Sequence, residues 1–122
     1  MKTCLVVDDS RVVRKVARRI LETYDFEVTE AVDGAEALAS CRSFMPDAIL
    51  LDWTMPLMDG LEFLRRLREE TGGGGPVVIF CSAETSPDRI QDALDLGADE
   101  YIMKPFDGDI IAAKLDLAGL LT

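Results

Sequence analysis

The sequence predicts an α/β fold in which five parallel strands form a doubly wound sheet. Strand and helix patterns alternate five times along 122 residues, a length that suits one domain with one core. The apolar runs at residues 5–7, 48–51 and 77–81 are continuous rather than alternating. Such runs are typical of parallel strands that helices cover on both faces. Polar side chains follow each run, so we expect a functional site at the carboxyl edge of the sheet.

The first two strand–helix units have recognisable boundaries. We predict a strand at residues 3–7 and then a helix that either Asp9 or Ser10 caps. Apolar residues recur at helical spacing along this helix: Val12, Val13, Val16, Ala17, Ile20 and Leu21. A weaker, outer strand follows at residues 27–31, and Asp33 caps a short second helix.

The remaining three units continue the alternation. Strands are predicted at residues 47–52, 77–81 and 101–103. One helix is predicted at about residues 61–70. The next begins at Thr85 or Ser86 and ends at Gly97, and the last begins at Asp107. We expect the four glycines at 72–75 to form a flexible loop.

Five such units in this length leave little room beyond a flavodoxin-like (βα)5 sheet with strand order 2-1-3-4-5. In this topology ligands bind outside the carboxyl ends of the strands, where the strand order reverses. The reversal lies between the first and third strands, and these end in Asp8, Asp9 and Asp52. Topology and chemistry therefore select the same place.

Composition excludes several classes of function. The net charge of −10 and the pI near 4.3 argue against non-specific nucleic-acid binding and against docking on an anionic membrane. Cys4, Cys41 and Cys81 lack metal-ligand spacing, and the chain has no histidine to complete a zinc site. We expect buried thiols in a cytoplasmic protein, with neither a signal peptide nor a membrane span.

The strand-end residues suggest phosphoryl chemistry that depends on a divalent cation. Three neighbouring carboxylates repel one another, and a hard ion such as Mg²⁺ would remove that conflict. Asp52, the central one, would be the nucleophile toward phosphorus, while the cation and Lys104 offset the developing charge. Ser82 would donate a hydrogen bond to the bound phosphoryl group. Each residue alone has an ordinary explanation as a cap, loop or turn residue, but their joint occurrence at successive strand ends favours one site.

The sequence closely resembles the receiver domain of bacterial two-component response regulators. The resemblance is carried by VVDDS, DGAEAL, LLDWTMPLMDG, FCSAE and GADEYIMKPF, and it covers residues 1–122 as a single receiver domain. Because the sequence shows no output domain, we expect a single-domain protein of the CheY-like chemotaxis type.

This resemblance implies a role for each matching residue. Asp52 would be the phosphoacceptor, and Mg²⁺, or Mn²⁺ in its place, would contact Asp9, Asp52 and the Thr54 carbonyl directly and Asp8 through water. Further roles are implied for residues that bind the phosphoryl group, that switch conformation or that set the lifetime of the phosphorylated state. Lys104 would bind the phosphoryl group, and its peptide bond to Pro105 would be cis. Ser82 and Tyr101 would form the switch pair. Ala83 would keep the phosphate path open, and Thr54 and Glu84 would tune dephosphorylation.

The resemblance also implies protein partners for a monomer. A histidine kinase or histidine phosphotransfer protein would dock on the basic first helix, at Arg11, Arg14, Lys15 and Arg18, although a merely solvated face is the alternative. A downstream target, either the flagellar switch or a relay component, would bind the face around Tyr101.

The implied function is a phosphorylation-activated switch, most simply in chemotaxis, that catalyses only its own phosphorylation and dephosphorylation. A shuttle or phosphate sink in a stress or cell-cycle phosphorelay is the alternative. A Mg²⁺ phosphatase of the haloacid-dehalogenase kind is more distant, because that family has a second Asp two residues after its nucleophile and Ser10 stands there in this chain. A receiver-fold adaptor that ignores phosphorylation is a further alternative.

Overall fold

The predicted architecture and strand order are confirmed. The computed structural model describes residues 2–53, 55, 58–70, 72–82 and 87–121. Within them five parallel strands form one sheet in the order β2-β1-β3-β4-β5. The elements are β1 Thr3–Val7, α1 Arg11–Thr23, β2 Glu27–Ala31, α2 Gly34–Ser43, β3 Ala48–Asp52, α3 Gly60–Glu69, β4 Val77–Ser82, α4 Pro87–Asp95, β5 Glu100–Met103 and α5 Gly108–Leu117.

The sheet separates two apolar layers, which explains the continuous apolar runs. Alternate strand residues point to opposite faces, so Leu5 and Val7 join α2, α3 and α4 on one side. Cys4 and Val6 join α1 and α5 on the other side. Each inner strand is therefore buried on both faces, as β3 is at all five positions.

The cysteines belong to these layers, as predicted. All three are free and buried. Burial raises the pKa of the Cys4 thiol to about 12 and that of the Cys41 thiol to about 11. Thiols in this state are poor nucleophiles and poor metal ligands.

Helix caps resolve one sequence alternative. Ser10, not Asp9, is the N-cap of α1, and its Oγ accepts a hydrogen bond from the Val13 N–H at 3.3 Å. Asp33, Asp59 and Asp107 cap α2, α3 and α5 in the same way. The predicted caps Thr85 and Ser86 lie outside the described residues. No helix of the described segments is long and apolar enough to cross a membrane.

The glycine segment at 72–75 forms a turn that hydrogen bonds from the Arg68 side chain stabilise. Arg68 donates hydrogen bonds to the carbonyls of Gly73 and Pro76, at 2.9 and 3.0 Å. Gly73 is buried against the end of α3, where a Cβ atom would lie 1.7 Å from the carbonyl oxygen of Leu67. Gly74, by contrast, has open space where its Cβ would be.

These neighbouring glycines give a matched test of the packing. Gly73→Ala should lower the free energy of unfolding by about 1–3 kcal/mol, because backbone must move to admit the methyl group. Gly74→Ala should be neutral or stabilising by up to about 1 kcal/mol, since alanine narrows the unfolded ensemble. Urea unfolding followed by circular dichroism measures both, and equal losses would contradict the described turn.

Candidate functional site

The predicted strand-end residues lie at one edge of the sheet. Asp8 directly follows β1, Asp52 and Ser82 end β3 and β4, and Lys104 directly follows β5. The parallel register pairs Val7 with Leu51, Asp52 with Cys81 and Ser82 with Met103, so the strands end at similar heights. The fold therefore brings side chains from distant parts of the sequence together.

Lys104 bridges two carboxylates at this edge. Its Nζ donates to Asp8 Oδ2 at 2.8 Å and to Asp52 Oδ1 at 2.9 Å. Both carboxylates are nearly inaccessible, with side chains 4% and 8% exposed. The backbone N–H of Lys104 also donates to the Ser82 carbonyl at 2.9 Å, which joins the ends of β4 and β5 beside the site.

One ammonium does not balance the carboxylates around it. Burial raises the pKa of Asp52, and although the Lys104 hydrogen bond lowers it, the charges of Asp8 and Asp9 raise it further, so the net shift is upward. Burial lowers the pKa of Lys104, but its bonds to Asp8 and Asp52 outweigh this and raise it overall. The pKa of each group is therefore shifted toward its protonated form, and a cation bound near Asp52 would offset the same excess of negative charge.

The donor set fits a hard divalent cation. One oxygen each from Asp8, Asp9 and Asp52 lies within 4.8 Å of the others. Carboxylate oxygens suit Mg²⁺ and Mn²⁺. Both oxygens of Asp8 already accept hydrogen bonds, from Ser10 N–H at 2.8 Å and from Lys104, so contact through water suits Asp8 better than direct ligation. Asp9, which is exposed, and Asp52 would then be the direct ligands.

The switch residues predicted from the sequence lie on neighbouring strands. Tyr101 is half-buried and pairs in register with Phe80, two residues before Ser82. Because partners in register and residues two apart share a face, Ser82 and Tyr101 lie on the same side of the sheet. The Lys104–Pro105 peptide bond is cis. Thr54, Ala83 and Glu84 lie outside the described residues.

The residues predicted for kinase docking divide into two groups. Arg11 and Lys15 are exposed on α1. Arg14 and Arg18 turn toward β2, where their Nε atoms donate to the two oxygens of Glu30 at 2.9 and 2.7 Å. The hydrogen bond from Arg18 is the largest cause of the lowered pKa of Glu30. A solvated docking face therefore describes only the first group.

Sequence reasoning missed two contacts that shape the site. Gly60 lies so close to β3 and β4 that a Cβ would be 2.6 Å from both the Asp52 carbonyl oxygen and the Phe80 ring. The Asp59-Gly60 step, where α3 begins, was the available signal. Trp53 tilts against Phe80 at 4.9 Å between ring centroids, and the Arg89 guanidinium of α4 lies 5.3 Å from the Trp53 ring. A cation–π contact thus links α4 to the residue after Asp52.

The fold and the site together define a flavodoxin-like α/β protein with an acidic, lysine-bridged centre at the carboxyl edge of its sheet. The family model of the response regulator receiver domain matches residues 4–116. The chain therefore belongs to the receiver-domain family of two-component response regulators, as its motifs predicted.

Individual relatives agree with this assignment. The chain is 42% identical over 111 residues to the response regulator MprA of Mycobacterium avium. This match covers 91% of the chain and 48% of MprA. The chain thus spans about half the length of the curated relatives it matches. Among solved structures, the chemotaxis protein CheY4 of Vibrio cholerae is similar with a TM-score of 0.91 and 32% identity, covering 96% of this chain and 98% of that one. The Francisella response regulator 1452 receiver domain is similar with a TM-score of 0.87 and 31% identity, and the match covers 96% of this chain and 95% of that one.

The raised pKa of Asp52, caused first by burial and then by the neighbouring carboxylates, leads to a pH-dependent prediction. Because folding raises the pKa of Asp52, the folded protein binds more protons than the unfolded chain between the two pKa values, and stability falls as the pH rises through that window. Asp52→Asn should therefore raise the melting temperature in metal-free buffer at neutral pH. The gain should vanish below the ordinary aspartate pKa, where both states are protonated.

Thermal unfolding at several pH values measures this effect. Asp116→Asn, an exposed aspartate of α5, controls for the loss of one negative charge. A lower melting temperature for Asp52→Asn at neutral pH would mean that the ion pair with Lys104 outweighs burial and repulsion.

Proposed function

We propose that this chain is a phosphorylation-activated switch that accepts a phosphoryl group on Asp52 with Mg²⁺ bound and then changes its affinity for a partner protein. The observation that carries the proposal is the convergence of Lys104, Asp8 and Asp9 on a buried Asp52 at the sheet edge. The family assignment supports the same role.

The chemistry follows from the groups present. A carboxylate oxygen of Asp52 forms the new bond to phosphorus, while the bond from phosphorus to the donor's imidazole nitrogen breaks. Mg²⁺, held by Asp9 and Asp52 and through water by Asp8, would supply positive charge for the phosphoryl oxygens. The Lys104 ammonium, already bonded to Asp52, is within reach of an oxygen added there and offsets its charge.

The conformational response would begin at the same groups. A phosphoryl group offers Lys104 and Ser82 new charge-assisted hydrogen bonds. Lys104 and Ser82 are already joined through the backbone, and Tyr101 lies on the Ser82 side of the sheet. Phosphorylation would therefore favour a different packing of Ser82 and Tyr101, which is a shift between two populations that the new bonds bias.

The phosphoryl donor would dock beside the site on α1. A groove of about 350 Å³ is lined by Val12, Val13, Val16, Lys104, Pro105 and Phe106. Val12 and Val16 are 71% and 43% exposed, and the exposed Arg11 and Lys15 lie on the same helix. A histidine kinase or phosphotransfer protein with an apolar stripe and acidic rim would fit here, and Lys104 joins this groove to Asp52.

Two outputs are open to such a switch. Likeness to the chemotaxis protein CheY4 favours binding of a flagellar switch component by the face around Tyr101. Similarity to the response regulator MprA, which the chain matches over 48% of that protein's length, is compatible with the second output, a role in a stress or cell-cycle phosphorelay. Capture of purified flagellar switch protein by the beryllofluoride form supports the first output, and phosphoryl passage to a histidine phosphotransfer protein supports the second.

Beryllofluoride, which mimics a phosphoryl group on aspartate, tests the proposed site. The wild-type chain should bind it saturably and only with Mg²⁺ present, and at 100 times Kd the folded state should gain about 2.7 kcal/mol. Asp52→Ala should abolish this gain in a thermal-shift titration. If beryllofluoride still stabilised the folded state of Asp52→Ala, Asp52 would be excluded as the acceptor.

Lys104→Ala separates binding from response. It should keep cation binding through the three carboxylates but lose the change in partner affinity.

Steady hydrolysis of small phosphate esters by the wild type would favour a phosphatase over the proposed switch.

The docking surface gives a separate prediction. The double substitution Arg11→Ala, Lys15→Ala should slow phosphoryl transfer from a phosphorylated histidine protein several-fold, because rim charges mainly steer association. Labelling by acetyl phosphate should be spared, since a small donor needs no docking. Arg65→Ala on α3 is the charge-matched control, and an equal slowing with acetyl phosphate would refute the docking role.

A further inference from the structure

Arg14 holds the peptide group between the first two carboxylates of the site. Its Nη1 donates to the carbonyl oxygen of Asp8 at 2.8 Å, and its side chain is only 13% exposed. That carbonyl belongs to the planar peptide unit that joins Asp8 to Asp9. Rotating this peptide unit changes ψ of Asp8 and φ of Asp9, so holding its carbonyl restrains the directions in which both aspartate side chains leave the backbone.

Glu30 anchors Arg14 to the neighbouring strand. Arg14 Nε donates to Glu30 Oε1 at 2.9 Å, and Glu30 precedes Ala31, whose carbonyl accepts from the Asp8 N–H at 3.1 Å. β2 thus holds Asp8 on both sides, directly at its N–H and through Glu30 and Arg14 at its carbonyl. A planar guanidinium suits this bridge, because its fork reaches two acceptors in fixed geometry.

We propose that Arg14 is a positioning residue of the cation and phosphoacceptor site, with Glu30 as its anchor. The inference rests on the proposed function insofar as the cation serves phosphoryl transfer. The contribution of Arg14 is geometric, since the charge of a guanidinium would by itself disfavour a cation nearby: Arg14 keeps the Asp8 and Asp9 carboxylates aimed at the same point as Asp52. Arg14 is thereby removed from the docking face, where its basic character alone would place it.

Arg18 provides a matched control on the same helix. It also donates to Glu30, at 2.7 Å to the other carboxylate oxygen, and it lies 3.6 Å from Glu22. Replacing either arginine by alanine removes one bond from Glu30 and one positive charge from α1. Only the Arg14 substitution removes the hydrogen bond to the Asp8 carbonyl, so a difference between the two variants isolates that contact.

Direct cation binding is the decisive measurement. Titration with Mn²⁺, followed by the electron paramagnetic resonance signal of the free ion, needs no phosphoryl donor. Arg14→Ala should weaken Mn²⁺ binding about tenfold, as expected when the group that orients a ligand is lost. Arg18→Ala should bind Mn²⁺ within about twofold of wild type, and both variants should show similar melting temperatures in metal-free buffer.

The outcomes separate this inference from the proposed function. If wild type binds Mn²⁺ and accepts beryllofluoride but Arg14→Ala binds Mn²⁺ equally well, the positioning role is overturned and the switch stands. If wild type binds neither, both proposals fall. If Arg14→Ala does not fold, Arg14→Lys decides, because lysine keeps the charge but lacks the fork. Weakening of at least threefold supports the geometric role, whereas wild-type affinity overturns it.

Discussion

The burial of Asp52 beside two further carboxylates is the constraint around which this edge of the sheet is arranged. Lys104 lies between Asp8 and Asp52 and bonds to both, yet the pKa of Asp52 remains raised. Buried carboxylates with a raised pKa favour any further positive charge. They would be stabilised most by a cation that arrives together with a group offering new hydrogen-bond acceptors to Lys104. The same burial and repulsion that raise the pKa of Asp52 would favour a cation bound at this edge.

The rest of the fold supplies the rigidity that this centre lacks. Parallel pairing places the ends of β1, β3 and β4 side by side, and two apolar layers bury the sheet on both faces. Gly60 lets α3 begin directly against the Asp52 backbone, a position that no larger residue could occupy without displacing Phe80. The functional side chains thus extend from buried strand ends, where the backbone has little freedom, rather than from long loops.

The sequence predicted this architecture because its strongest signals are local. Continuous apolar runs followed by Asp52 or Ser82 reveal both strand burial and the polar edge without any tertiary information. The cap of α1 stayed ambiguous because Asp9 and Ser10 are both good caps; the backbone settles it, since Ser10 also donates its N–H to Asp8. Arg14 could not be singled out, because helical periodicity places all the basic residues of α1 on polar positions. Which of them turns inward depends on Glu30, sixteen positions away on β2.

Lys104 connects this local electrostatics to the protein's surfaces. It follows β5 directly, its backbone joins the end of β4, and its side chain lines both the acidic centre and the apolar groove on α1. In the proposed switch, a group added to Asp52 that draws the ammonium away from Asp8 would move a side chain that lines the groove and whose own backbone bonds to the end of β4. Trp53 offers a second route, since its ring meets both Phe80 in the core and Arg89 on α4. For the proposed switch, Lys104 and Trp53 are thus the groups through which a change of charge at Asp52 would reach the α1 groove and α4.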